Sequence, residues 1–123
     1  MSRTLLLWGS INAMLAVALG AFGAHGLQHS ATDAALQTWE TAAQYHFYHA
    51  LALLLIGILA RDYPRAMVAG RFMLAGIVLF SGSLYLLALT QIKILGAITP
   101  LGGVCFLLGW LWLVKIFWLR KQS

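Results

Sequence analysis

Charge is what this chain most lacks: of 123 residues only 9% are Asp, Glu, Lys or Arg, and just three of them are acidic. A soluble domain covers its surface with roughly a quarter charged residues, so a soluble fold is excluded before any motif is sought. Cysteine is reduced to Cys105, which leaves no disulfide framework and no thiolate metal site within one subunit. Proline occurs only at Pro64 and Pro100, so the strongest helix breaker is missing from most of the chain. Carboxylates are missing from the middle of every apolar run, since Asp33, Glu40 and Asp62 all lie near run ends. That absence argues against a proton-driven antiporter, which needs an acid within a span, and leaves a catalytic histidine without an orienting partner. A nucleophile elbow, CxxCH and HExxH are absent as well, as are internal repeats and low-complexity segments.

What is present is hydrocarbon. Hydrophobic residues make up 62% of the chain and the mean hydropathy is +0.86. They fall in long blocks with the charges at their ends, the pattern of a polytopic membrane protein. A net charge of +5 would suggest nucleic acid in a soluble protein. Here the basic residues flank spans, where they set orientation and meet anionic lipid, and no nucleic acid is expected as a partner.

The blocks predict an all-α membrane protein: one four-span domain over residues 1–123, with spans at about 4–24, 39–60, 71–89 and 100–119. The run from Thr4 to Gly23 has a spanning length of roughly 20 residues, against ~7 to 15 for a signal-peptide core, and reads as a retained first span. Within it Gly9, Ala13, Ala16, Gly20 and Gly23 recur at steps of four and three, a stripe on which another helix backbone can approach closely. Asn12 lies beside that stripe. From His25 to Thr38 the chain turns polar, and the capping pattern Ser30-Ala-Thr-Asp33 starts a helix near Ala31. No Pro or Gly occurs between Leu27 and Ile56. A short interfacial amphipathic segment is therefore expected between the first two spans, bending near Trp39 to Ala43 or continuing into the second. Arg61 to Arg65 ends the second span, Arg71 starts the third, and Pro100 suits the first turn of the fourth, which carries a small-residue face at Gly102, Cys105 and Gly109 together with Trp112.

Basic residues orient the bundle. With both termini and the middle loop in the cytoplasm, Arg3, Arg61, Arg65, Arg71, Lys115, Arg120 and Lys121 lie inside and Lys93 alone lies outside. Ser2 and Gln122 are then cytoplasmic, and Ser30 and Lys93 external.

The candidate functional residues are Asn12, His25, His46, His49, Ser81, Ser83, Tyr85 and Thr99, all mapping to the outer half of the membrane, its edge or its centre. Together they predict a polar pocket open outward. The apolar inner halves argue against a channel. At 100° per residue, His46 and His49 share a helix face with Trp39, Ala42, Ala50 and Leu53, while Glu40 and Gln44 point away. If Trp39 marks the outer interface, His49 lies about 15 Å deeper, near mid-membrane. It is expected to face the bundle interior within reach of Ser81, Ser83 or Asn12, with His25 at the mouth of the same pocket. A neutral imidazole bonded to a neighbouring helix is the plain alternative. Imidazoles from two helices suit a haem or metal as well, but no supporting motif accompanies them, so no metal ligand and no cofactor are assigned.

Four motifs carry a resemblance: GAFGAHGL at Gly20 to Leu27, QYHFYHALALL at Gln44 to Leu55, LFSGSLYLLAL at Leu79 to Leu89, and ITPLGGVCFLLGW at Ile98 to Trp110. In this order and spacing the chain resembles the YgdD family of small inner-membrane proteins, a domain of unknown function (number 423) similar to the animal transmembrane protein 256. The resemblance implies four spans and a bacterial inner (plasma) membrane or mitochondrial setting, and no established activity. His25 and His49 match the family's two characteristic histidines, and the position of His46 is often glutamine in bacterial members. The combined reading is a non-enzymatic membrane protein, surrounded by membrane lipids, that binds a lipid-like or small amphipathic ligand or a protein partner through its pocket. The alternatives are a transporter assembled as a homo-oligomer and, below that, a haem- or metal-binding protein.

Overall fold

The structure is a computed structural model that describes residues 1–120; Lys121 and Gln122 of the orientation argument lie outside the described residues. Four helical runs are long and apolar enough to cross a bilayer: Arg3–His25, Asp33–Leu59, Pro64–Thr90 and Leu95–Leu119. The first two are the helices α1 (Arg3–His25) and α2 (Asp33–Leu59). The third run joins a 3-10 turn (Pro64–Ala66), α3 (Met67–Gly76), a π-helical turn (Ile77–Gly82) and α4 (Ser83–Thr90), and the fourth run is α5 (Leu95–Arg120). Short connections make consecutive spans antiparallel. One end of the bundle therefore holds Ser2, the Arg61–Arg65 turn and the end of α5, called here the terminal end, and the other holds His25 to Thr32 and Gln91.

The helix ends follow local chemistry. Ser2 caps α1, its Oγ accepting from the Leu5 N–H at 3.2 Å, and its own N–H donates to the Gly57 carbonyl at 2.8 Å, tying the start of the chain to the end of α2. Thr32 caps α2 through the Ala35 N–H at 3.1 Å. α4 stops at Gln91, the one described non-glycine residue with positive φ (60°). Its side-chain amide donates to the Ala88 carbonyl at 3.0 Å, satisfying one of the carbonyls a helix end leaves open.

The small-residue stripe of α1 meets α2. A Cβ on Gly9 would lie 2.9 Å from Leu54 Cγ and 3.0 Å from the Ala50 carbonyl, one on Gly23 would collide with Trp39, and one on Gly20 would lie in ordinary contact with Ala43. Ala16 is buried between them. α5 closes the bundle in the same way: a Cβ on Gly102 would fall 2.2 Å from the Phe80 backbone nitrogen in the π turn, and one on Gly109 3.0 Å from Met73. Large apolar side chains fill the terminal half, where Leu5, Leu53, Ile56, Met73, Phe106 and Leu113 form the main core. At the other end a smaller cluster gathers around Trp39 and Ala88.

Some expectations are settled here and others corrected. α2 runs unbroken from Asp33 for 27 residues, about 40 Å, so of the two expected courses, a bend near Trp39 to Ala43 or continuation into the second span, the structure has the continuation. Trp39, the expected marker of the outer interface, faces the bundle interior. It is 3% exposed, and its indole N–H donates to the Leu19 carbonyl of α1 at 2.7 Å. Pro100 sits inside α5, because the helix begins at Leu95 rather than at the proline; its ring is exposed on the groove side and its missing N–H falls just beyond the first turn. Likewise the third run begins at Pro64 rather than Arg71, and Arg71 lies within α3 with its side chain exposed.

Candidate functional site

Two turns of α2 carry the chemistry. His46 and His49, three residues apart, are both buried and project toward different neighbours. His46 Nε2 meets Asn12 Oδ1 of α1 at 2.9 Å, and its Nδ1 meets the Tyr85 hydroxyl of α4 at 2.9 Å. Asn12 donates its amide nitrogen to the Trp8 carbonyl at 2.8 Å, so its Oδ1 is the acceptor. His46 is then the Nε2–H tautomer and Nδ1 accepts from Tyr85. Three helices are joined by one neutral imidazole, with Trp39 packed edge-on against the Tyr85 ring at 4.7 Å.

His49 is protonated on the other nitrogen. Its Nδ1–H donates to the Tyr45 carbonyl one turn back at 2.8 Å, and Nε2 accepts from the Trp110 indole N–H of α5 at 3.1 Å. The imidazole stacks on Phe106 with ring centroids 3.5 Å apart and planes within 9°. Tyr45 and Phe80 extend the aromatic layer, their centroids 4.7 Å apart. Beside this layer a groove of about 470 Å³ opens on the flank of the bundle, lined by Tyr45, His49, Phe80, Val104, Phe106 and Trp110 among others. Its walls are apolar and aromatic. Trp110 forms the rim, 40% exposed.

The remaining polar residues make separate sets. The Ser83 and Thr99 hydroxyls lie 2.6 Å apart, each also within reach of a carbonyl of its own run, Phe80 for Ser83 at 3.0 Å and Leu95 for Thr99 at 3.4 Å; this pair ties α4 to α5. Ser81 is fully buried, and its Oγ has no hydrogen-bond partner among the described residues. His25 is exposed at the end of α1.

The expected arrangement changes accordingly. Asn12, His46 and Tyr85 do come together and so do Ser83 and Thr99, but Asn12 bonds His46 and not His49. Neither serine bonds His49, whose bonds go to Tyr45 and Trp110. His25 stands apart from both histidines of α2. The polar side chains are largely consumed in helix-to-helix bonds, and the cavity beside His49 is an apolar groove facing sideways rather than a polar pocket facing outward. Phe106, Trp110 and Tyr45 were not among the sequence candidates. The four-residue spacing of Phe106 and Trp110, which stacks two aromatics on one helix face, is the signal that could have found these two. Among the described residues no three His, Cys, Asp or Glu side chains are grouped as metal ligands.

Comparison with known proteins gives a consistent picture. The family model described as Protein of unknown function (DUF423) matches residues 19–103, which include Trp39, His46, His49, the π turn and Tyr85. The chain is 55% identical over 115 residues to the UPF0382 membrane protein YwdK of Bacillus subtilis (strain 168), covering 91% of this chain and 94% of that one. It is 51% identical over 113 residues to UPF0382 membrane proteins of Staphylococcus aureus (strain bovine RF122 / ET3-1) and Staphylococcus epidermidis (strain ATCC 12228 / FDA PCI 1200), in each case covering 91% of this chain and 93% of the relative. No solved structure matches.

Proposed function

The chain belongs to the DUF423 family of membrane proteins, and on that footing we propose that it is a non-enzymatic binding protein of the bacterial inner membrane, taking a lipid-like or small amphipathic molecule into the groove beside His49. The groove itself carries the reading. Its volume of about 470 Å³ falls in the usual range for small-molecule sites, which are mostly apolar with few polar groups. It opens where bilayer hydrocarbon surrounds the bundle, so an apolar chain or ring enters without crossing water. A polar feature is available at the wall: His49 Nε2, held by the partly exposed Trp110. A ligand hydroxyl that replaces the indole N–H finds an acceptor already oriented by the Tyr45 carbonyl.

The same reading places both termini in the cytoplasm. Arg3, Arg61, Arg65 and Lys115 lie toward the terminal end and Lys93 at the other, the bias that retains basic ends inside. The groove is tested by filling it. Val104 lines it and is 51% exposed, so Val104→Trp occupies the space without touching the core. Lipid extracts of the purified wild-type and variant proteins, compared by mass spectrometry at matched thermal stability, should show one molecular class lost from the variant. Identical extracts would dismiss the groove as a binding site.

A further inference from the structure

A second concavity lies at the terminal end, away from both histidines. The Asp62 to Arg65 turn and the last turns of α5 enclose about 290 Å³ between Tyr63, Arg65, Trp112, Lys115, Ile116 and Leu119. Its organising residue is Trp112. The indole N–H donates to the Arg65 carbonyl at 2.9 Å, which fixes the ring against the turn. The Arg65 guanidinium carbon lies 5.7 Å from the ring centroid, and the Lys115 ammonium lies 5.1 Å from it. Two cations are thus gathered on one aromatic ring by two different elements, although their mutual repulsion opposes it. Among the described residues neither is ion-paired; Asp62 borders the pocket without bonding to them. Ile116 and Leu119 close the pocket on the side toward the end of α5, and the exposed Leu111 and Leu108, one and two turns back from Lys115, continue α5 as an apolar strip toward the hydrocarbon.

We propose that this pocket binds the phosphate of an anionic phospholipid headgroup, with the acyl chains lying along the apolar strip of α5. Charge and position agree on that occupant. An anion between Arg65 and Lys115 relieves their repulsion with charge-assisted hydrogen bonds, and the site stands at the ends of the spans, where headgroups lie. A ligand with a phosphate and a hydrocarbon chain matches both the paired cations and the strip below them; a free phosphate matches only the cations. This inference is independent of the His49 groove.

The test uses the full-length protein in nanodiscs of phosphatidylcholine containing a minor share of phosphatidylglycerol, with retained lipids counted by native mass spectrometry. Wild type should keep phosphatidylglycerol in preference to phosphatidylcholine. Arg65→Gln and Lys115→Gln should each weaken that retention roughly fivefold, and the double variant should remove the preference. Both side chains are exposed, so the single variants are expected to fold and decide the matter if the double one does not. Arg3→Gln, a cation at the same end but outside the pocket, is the control. An equal loss with Arg3→Gln would mean diffuse surface charge and would overturn the site, as would unchanged retention in the single variants. Release of the lipid by excess inorganic phosphate would reassign the pocket to free anion.

Discussion

At the scale of single residues, His46 is a joint and His49 is a wall. Replacing His46 by leucine strands Asn12 Oδ1 and the Tyr85 hydroxyl between three helices, and should cost about 1–2 kcal/mol, since interhelical bonds in membranes are individually modest but an unmet buried group is not. His46→Gln should lose less than half of that, because an amide offers both the donor for Asn12 and the acceptor for Tyr85. Thermal unfolding in detergent checks the pair: equal losses for leucine and glutamine would remove the hydrogen bonds from the account. The common face of the two histidines was legible from their spacing, and so was the meeting of Asn12 with a histidine. Which histidine it meets was not legible. Depth was counted from Trp39 as a surface marker, yet that indole is spent on the Leu19 carbonyl inside the bundle. Counted instead from the helix start at Asp33, His46 lies about 20 Å along α2 and His49 about 24 Å, which brings the shallower one level with Asn12.

At the scale of elements, the π turn and α5 are fitted to each other through one missing side chain. Gly102 faces the Phe80 backbone so closely that a Cβ would overlap it, whereas Gly103 has nothing nearer than the Phe80 ring at 3.9 Å. Gly102→Ala should therefore destabilise by about 1–3 kcal/mol as α5 is pushed off the turn, while Gly103→Ala should be neutral or gain up to about 1 kcal/mol from helix propensity. If both variants unfold alike in a thermal scan, the close approach is not holding the helices. Four spans were legible because hydropathy and charge punctuate the chain, and the stripe on α1 because small residues repeat at helical spacing. The π turn left no such trace: FSGS reads as ordinary helix, and the widened turn follows from what the neighbouring helix permits. Pro100 misled for a related reason. Proline favours a first turn, but this helix gains another turn before it from Leu95 onward, in protein surroundings that tolerate a missing donor.

At the scale of the whole molecule, orientation is the property most open to direct measurement. In a Cys105→Ala background, Ser30→Cys should react with an impermeant thiol reagent added to intact cells and Arg61→Cys should not, both positions being exposed at opposite ends of α2. Labelling of residue 61 alone would invert the bundle. Its two ends differ in more than charge. α1 packs almost wholly on α2, and every tie between them, from the Ser2 amide on Gly57 to the Trp39 indole on Leu19, lies within the first sixty residues. The consequence concerns time. Those ties are available while the ribosome is still making the second half of the chain, a task on the order of seconds at about 5–20 residues per second. The first two spans can dock as a finished hairpin before the third exists, and the later helices are then added to a surface already displaying both buried histidines, so that the order of synthesis becomes the order of assembly.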